Sequence, residues 1–532
     1  MQHRPLTVSA FLEFAARWHP AVEIAGRRAD GSGEVSSYAV VQARAKRLSA
    51  RLLASGILPG DRVGTIAMNH IRHLEAWYGI MGIGAVCHTI NPRLFREQLV
   101  YIINHAGDRV LLADAGFVDL AVGLLADCPT VERLVILPDG NPVESLGAAI
   151  DYDRWLNEAS EAPPEWGGFD ENQPCGLCYT SGTTGDPKGV LYSHRSNYLH
   201  ALMSLQHDVL NLSVTDVVLP IVPMFHANAW GLPFSAPAVG AKLVLPGARL
   251  DGASLHGLIH DHKVTFAAGV PTVWQGLLRH IDSTGGDLGT LRRVLVGGSA
   301  CPASLIPAME RHGIEVVHGW GMTETSPIAS VASSTGAAVV ADDETRRERV
   351  AKQGRTLIGL DVRLDDDAGV PVPHDGRTSG HLMIRGATVV QRYFRQEQDA
   401  TNSEGWFDTD DIATIDDHGY IHITDRAKDL IKSGGEWISS IEIENIVMEH
   451  PAVACAAVVA IAHEQWGERP LLFVELVSGA TATAEEFRTF LEGRVARWWL
   501  PDEVRLIDRI PLGATGKIDK KRIREQLRES AE

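Results

Sequence analysis

Apolar and polar positions alternate along the first half of the chain in two registers, one helical and one extended. The run 38–53 reads as a helix, 62–67 as a short strand, 74–83 as a helix and 109–112 as a strand. This order predicts βαβ units. The rhythm continues at 217–222, 242–245, 265–268, 294–296 and 315–317, each an apolar or β-branched run followed by Gly, Pro or small polar residues. Parallel strands bind ligands at their carboxyl ends, so the residues just after these runs are the ones to inspect.

Beyond residue 356 the texture changes to shorter, more polar pieces at 362–364, 381–384 and 420–423, separated by Asp/Gly turns, which predicts an antiparallel subdomain. A charged stretch, 425–429, then leads into a compact α+β unit with a helix at 441–450, strands at 456–461 and 471–476, and a helix at 484–497. The expected fold class is α/β. Doubly wound mixed sheets plus the small antiparallel subdomain make a large N-terminal domain, 1–427, and 428–532 form a small α+β domain, with the boundary near Lys428.

Composition narrows the function. At 532 residues the chain exceeds one ordinary core. Its formal net charge of -18 opposes non-specific binding to nucleic acid or an anionic membrane, so an anionic ligand needs a local basic site. Arg4, Glu13 and Arg17 interrupt the N-terminal apolar residues, which excludes a signal-peptide core, and no apolar run nears the roughly 18 residues of a spanning helix. A cytoplasmic protein is expected. Six scattered cysteines make no disulfide framework. Cys175 and Cys178 form a CxxC without a second pair, in an extended segment where they face opposite sides, so they read as buried small residues and not as a metal half-site.

The chemistry concentrates first in Tyr179-Thr-Ser-Gly-Thr-Thr-Gly-Asp-Pro-Lys-Gly189. Four Ser/Thr hydroxyls, three glycines and a lysine in one turn can wrap phosphate oxygens. The spacing is not that of a Walker A loop. Further motifs follow: Val222-Pro-Met-Phe-His-Ala-Asn-Ala-Trp230, Val296-Gly-Gly-Ser-Ala300, Gly319-Trp-Gly-Met-Thr-Glu-Thr325, Gly405-Trp-Phe-Asp-Thr-Asp-Asp411, Thr424-Asp-Arg-Ala-Lys-Asp-Leu-Ile-Lys432 and Pro511-Leu-Gly-Ala-Thr-Gly-Lys517.

In this order the motifs resemble those of the acyl-adenylate-forming superfamily, over essentially the whole chain. The resemblance implies an ATP-dependent carboxylic acid:CoA ligase, which makes an acyl-AMP with release of pyrophosphate and then an acyl-CoA with release of AMP. It implies ATP, Mg²⁺ and CoA as ligands. The nucleotide pocket would comprise Thr180, Ser181, Gly182, Thr183, Thr184, Gly185, Lys188, Gly298, His318, Gly319, Trp320, Thr323, Asp411, Arg426 and Lys428. Thr180 and Glu324 would hold the metal through oxygen, as Mg²⁺ prefers. Asp411 would accept the ribose hydroxyls, and Trp320, where the family usually has tyrosine, would stack on adenine. Lys517 would bridge carboxylate and phosphate oxygens in adenylation.

The resemblance further implies that the C-terminal domain is mobile and rotates about Lys428, so that Lys517 leaves and Lys432, Gly434, Gly435 and Trp437 arrive to line the pantetheine entrance. His226 would orient the thiol or the acyl group, and Cys301 is packing, since neither half-reaction needs a covalent enzyme intermediate. Two departures stand out. Asp410 replaces a glycine favoured beside the ribose aspartate, and Gly513-Ala514-Thr515 varies the loop before Lys517.

Within the superfamily His88-Thr-Ile-Asn-Pro-Arg-Leu94, Asn104-His-Ala106, Leu191-Tyr-Ser-His194, the run 428–439 and 463–470 resemble bacterial medium- and long-chain fatty-acid:CoA ligases. In that group a tryptophan matching Trp230 gates an apolar acyl tunnel. The expected acid is a medium- to long-chain fatty acid. The alternatives are a short acid such as 3-(methylthio)propionate, an aryl or cinnamic acid, and, in another class, an adenylation module that loads a carrier protein. The last is disfavoured because the chain ends soon after Lys517. Acid, ATP and CoA are the expected partners, with no nucleic acid and no integral membrane segment, and a homodimer through the N-terminal domain would match the long-chain relatives.

Overall fold

A computed structural model describes residues 1–140, 149–158, 162–180, 186–332, 342–433, 436–513 and 518–531. Two mixed sheets dominate. The seven-stranded one runs Ile150–Asp151, Arg133–Leu137, Asp108–Asp114, Arg62–Ile66, Val86–Thr89, Pro174–Thr180 and Lys188–Ser193 across its width. All neighbours are parallel except the last two, which form an antiparallel hairpin. The nine-stranded sheet has a parallel centre, with Glu315–Gly321, Arg293–Val296, Phe266–Gly269, Val217–Pro220, Lys242–Leu245 and Glu23–Arg27 adjacent in that order. Strands buried on both faces explain the near-continuous apolar runs of the sequence.

Helices Tyr38–Ala54 and Ile71–Met81 fill the space between sheets, and their buried residues, including Tyr38, Leu48, Trp77 and Tyr78, join the largest core. The first is capped by Ser37, whose side chain accepts from Val40 N–H. The predicted antiparallel subdomain is present as a four-stranded sheet of Leu360–Asp365, Gly380–Gly386, Phe407–Ile415 and Ile421–Arg426. After it comes a five-stranded sheet built on the long hairpin Val453–His463 and Gly467–Leu476, with a core of its own around Ile443, Val458, Leu472 and Phe487.

One local expectation needs correction, and two elements lie where the sequence pattern predicts none. The helix predicted over 484–497 ends at Leu491, because Gly493 follows with φ +75°, a conformation no helix continues through. Phe407–Ile415 is a strand, although its Asp-rich start hid the alternation of buried and exposed residues. A C-terminal helix, Lys520–Ala531, went unread because only Ile523 and Leu527 mark its apolar side.

Candidate functional site

The phosphate-loop segment is the connection of the antiparallel hairpin. Thr180 and Lys188 are its last register pair, and Thr180 Oγ1 donates to the Lys188 carbonyl at 3.4 Å. Ser181, Gly182, Thr183, Thr184 and Gly185 lie outside the described residues. The strand carrying Thr180 packs against the short helical turn Thr323–Thr325, and Tyr192 from the partner strand donates its O–H to Thr323 O at 2.8 Å. The hairpin and the turn bearing Glu324 are thereby joined.

Glu324 is buried, and burial pushes its carboxyl up against the lowering effect of a hydrogen bond from Tyr393, whose O–H donates to Oε1 at 2.9 Å. The Lys188 ammonium stands 5.0 Å from the centre of the same tyrosine ring. A buried carboxylate oriented by one neutral donor, with a threonine hydroxyl on the adjoining strand, is a hard oxygen set that fits Mg²⁺.

The predicted ribose aspartate sits in the antiparallel subdomain. Asp411 and Arg426 face each other in strand register, with Arg426 Nε 2.7 Å from Oδ1. Trp320, at the end of its parallel strand, reaches the other oxygen, Nε1 donating to Oδ2 at 3.0 Å. Next to Asp411, Asp410 has φ +58°, the left-handed region that favours glycine, which fits the expectation of a glycine at this position. His318 is buried and neutral, its pKa pushed down to about 4 by burial, and its Nδ1 donates to Val350 O at 3.2 Å.

Val296 and His318 are register partners, so the glycines after Val296 run beside Gly319. Gly298 has φ +79°. A Cβ on Gly297 would meet the Gly319 carbonyl oxygen at 2.7 Å and Trp230 Cη2 at 3.3 Å. Glycine at 297 therefore lets the strand carrying Gly319 and the Trp230 indole approach each other. Trp230 is 8% exposed and ends a run of four non-glycine residues, Ala227 to Trp230, whose φ values are all positive, from +42° to +56°. His226 immediately precedes this turn and is half-buried.

Lys428 occupies the turn after Arg426, where Asp429 N–H and Leu430 N–H both donate to Arg426 O at 2.9 Å. Burial pushes its ammonium pKa down. Across this turn Asp425 accepts from Ser440 N–H at 2.6 Å, and Lys520 bonds Ser440 Oγ at 2.6 Å and Glu444 at 2.7 Å. Lys432 and Trp437 are register partners in a small hairpin, Ile431–Ser433 with Glu436–Ile438, and Lys432 N–H donates to Glu468 at 2.9 Å. Gly434, Gly435 and Lys517 lie outside the described residues.

Two of these residues, Tyr393 and Lys520, stand outside every motif of the sequence, and Gly297 and Asp425 stand inside motifs without a role of their own there. Tyr393 had the faintest signal, an aromatic pair with Phe394 inside the otherwise polar run 391–399. All six cysteines are free, and Cys175, Cys178 and Cys301 are buried, with burial pushing their thiols up. Among the described residues no helix is long and apolar enough to cross a membrane.

Comparison with known proteins agrees with this arrangement. Residues 11–394 match the family described as AMP-binding enzyme, and 442–517 match the AMP-binding enzyme C-terminal domain. The chain is 44% identical over 533 residues to a 3-methylmercaptopropionyl-CoA ligase of Ruegeria lacuscaerulensis, covering 100% of this chain and 99% of that one. It is 45% identical over 529 residues to a medium-chain-fatty-acid–CoA ligase of Ectopseudomonas oleovorans, covering 99% and 97%. Among solved structures, the anthranilate CoA ligase AuaEII in complex with anthranoyl-AMP superposes with a TM-score of 0.88 at 25% identity, covering 99% of both chains.

Proposed function

The chain belongs to the AMP-binding enzyme family, and on that premise we propose that it activates medium- to long-chain fatty acids as their CoA thioesters. It is an enzyme, an AMP-forming acid:CoA ligase that uses ATP, Mg²⁺ and CoA. The observation that carries the reading is the convergence of Trp320 and Arg426 on Asp411, together with a buried Glu324 beside the phosphate-loop hairpin, in a chain that matches CoA ligases from end to end.

Adenylation joins a carboxylate oxygen to the α-phosphorus of ATP and expels pyrophosphate, so two anions must meet. Lys188 and Arg426 would supply positive charge near the nucleotide, and Lys517 would add charge as the new bond forms. Asp411, held by Arg426 and Trp320, is oriented to receive ribose hydroxyls. Glu324 and Thr180 would hold Mg²⁺, which when bound screens the phosphate charge. Trp320 would flank adenine, with Gly298, His318, Gly319 and Thr323 shaping the pocket.

In the second half the CoA thiol loses its proton and attacks the acyl carbon, and AMP leaves. Rotation about Lys428 would exchange Lys517 for the face formed by Lys432, Gly434, Gly435 and Trp437, with His226 orienting thiol or acyl group. A domain boundary at Lys428 is supported by the turn there and by the separate core that follows. Trp230 would gate the acyl pocket. A cytoplasmic location is supported by the free cysteines, and we extend the reading to a homodimer through the N-terminal domain, testable by sedimentation.

A short acid such as 3-(methylthio)propionate is the second reading, favoured by the Ruegeria relative. A CoA- and ATP-dependent thioester assay across acids from propionate to palmitate, with 3-(methylthio)propionate and cinnamate included, separates the two. The first reading expects kcat/KM to peak at medium or longer chains. A peak at the thioether acid would replace it, and no thioester from any acid would end both.

A further inference from the structure

We propose that Tyr393 is a positioning residue for adenylation: its O–H sets the plane of the Glu324 carboxylate while its ring seats the Lys188 ammonium. The inference rests on the reading of Glu324 as a metal ligand. Nothing in the motifs points to it.

The short segment containing Tyr393 is pinned at both ends. Val390 N–H donates to the carbonyl of Glu324 itself at 2.7 Å, and Phe394 N–H donates to Gly189 O at 2.8 Å, one residue after Lys188. Tyr393 therefore stands at a fixed place between the turn that carries the carboxylate and the strand that leaves the phosphate loop. From there it makes two contacts: O–H to Glu324 Oε1 at 2.9 Å, and ring to Lys188 Nζ at 5.0 Å.

The carboxylate end of a glutamate rotates in a broad, soft well, so packing alone sets its plane poorly. A hydrogen bond to one oxygen removes that freedom and aims the other. A phenolic O–H ionises only at about pH 10, so over the working pH range it is available as a donor to the carboxylate. Lys188 is exposed and carried on a flexible four-carbon stem, and its ammonium lies over the ring face, which favours this one position among those the stem allows. One side chain thus couples the metal-side anion to the phosphate-side cation before any ligand arrives, which lowers the reorganisation left for binding.

The test uses Tyr393→Phe, which keeps the ring and deletes only the hydroxyl. Binding of Mn²⁺·ATP without acid, followed by electron paramagnetic resonance, should weaken roughly three- to tenfold, part of what a hydrogen bond to a charged group is worth. The Mg²⁺ concentration for half-maximal adenylation should rise by a similar factor, with the rate recovered at saturating Mg²⁺. Tyr393→His, which retains a ring and an N–H donor, should recover part of the affinity. A merely structural tyrosine would lower the melting temperature and leave metal affinity alone, and that result overturns the inference. Glu324→Gln is the control. If it weakens Mn²⁺·ATP and Tyr393→Phe does not, only the role of Tyr393 falls; if neither weakens it, the metal reading of Glu324 falls as well.

Discussion

Trp320 and Asp411 come from different sheets and meet through one hydrogen bond, indole Nε1–H to Oδ2 at 3.0 Å. Trp320 ends a strand of the large mixed sheet, and Asp411 lies in the antiparallel subdomain. The bond ties the predicted adenine-side residue to the predicted ribose-side residue. It also uses the one donor that a tryptophan offers and a phenylalanine lacks.

Trp320→Phe should therefore keep a flat stacking face and lose the tether. We expect KM for ATP to rise about tenfold or more, with the KM for the acid little changed, since a hydrogen bond to a carboxylate is worth about 1.5–3 kcal/mol. Equal rises in both constants would show that the bond organises the whole pocket and not its nucleotide side.

Gly297→Ala places a Cβ against the Gly319 carbonyl and the Trp230 ring. Overpacking of this kind costs about 1–3 kcal/mol. The expected result is a lower melting temperature together with an altered chain-length profile in the thioester assay. An unchanged profile would separate Trp230 from acid choice.

Asp410→Gly removes a side chain from a backbone at φ +58°. Relief of the left-handed conformation should outweigh the extra entropy of an unfolded glycine by about 0.5–1 kcal/mol. A urea titration should show a higher midpoint. A lower one would mean that the carboxylate, whose charge helps to keep the neighbouring Lys428 protonated, contributes more than the strain costs.

Acid should destabilise the fold through buried imidazoles. Burial pushes His73 to about 4, His200 to about 3 and His318 to about 4. His200 Nε2 accepts Ile328 N–H at 3.0 Å, a bond its protonated form cannot make. Because these values lie below that of a free histidine, the unfolded chain takes up protons first. Stability is full above the ordinary value of 6.5 and declines as pH falls towards 4. Each such histidine contributes at most about 1.4 kcal/mol per pH unit in that window. A urea midpoint that does not fall between about pH 7 and pH 5 would contradict the buried neutral state.

Lys517→Ala should block adenylation by a factor of about 100 or more, as loss of a charge that acts in the transition state does, while CoA transfer from supplied acyl-AMP survives. Equal loss of both halves would remove the case for two alternating faces.

The alternating runs of the first half announced the parallel sheets because strands buried on both faces leave long apolar signatures. Asp411, Arg426 and Trp320 were legible as members of ordered motifs, and the structure brings all three within bonding distance. Tyr393 was not legible, since its significance lies in a partner 69 positions away and not in its neighbours. Gly297 stood in its motif beside Gly298, but its packing role was hidden, because a close approach of two other elements leaves no local mark. The left-handed turn ending at Trp230 is written in Ala-Asn-Ala-Trp, with no glycine until Gly231 to betray it.

That turn has an implication for how such a chain changes over time. Left-handed backbone is a single narrow basin for residues with a Cβ, costing roughly 1 kcal/mol at each of the four positions. Such a segment does not yield by degrees. Small edits to the surrounding wall leave Trp230 where it is, whereas one glycine within the turn releases it. With Trp230 as the proposed gate of the acyl pocket, the acid preference of descendants should thus drift little over many substitutions and then jump on one.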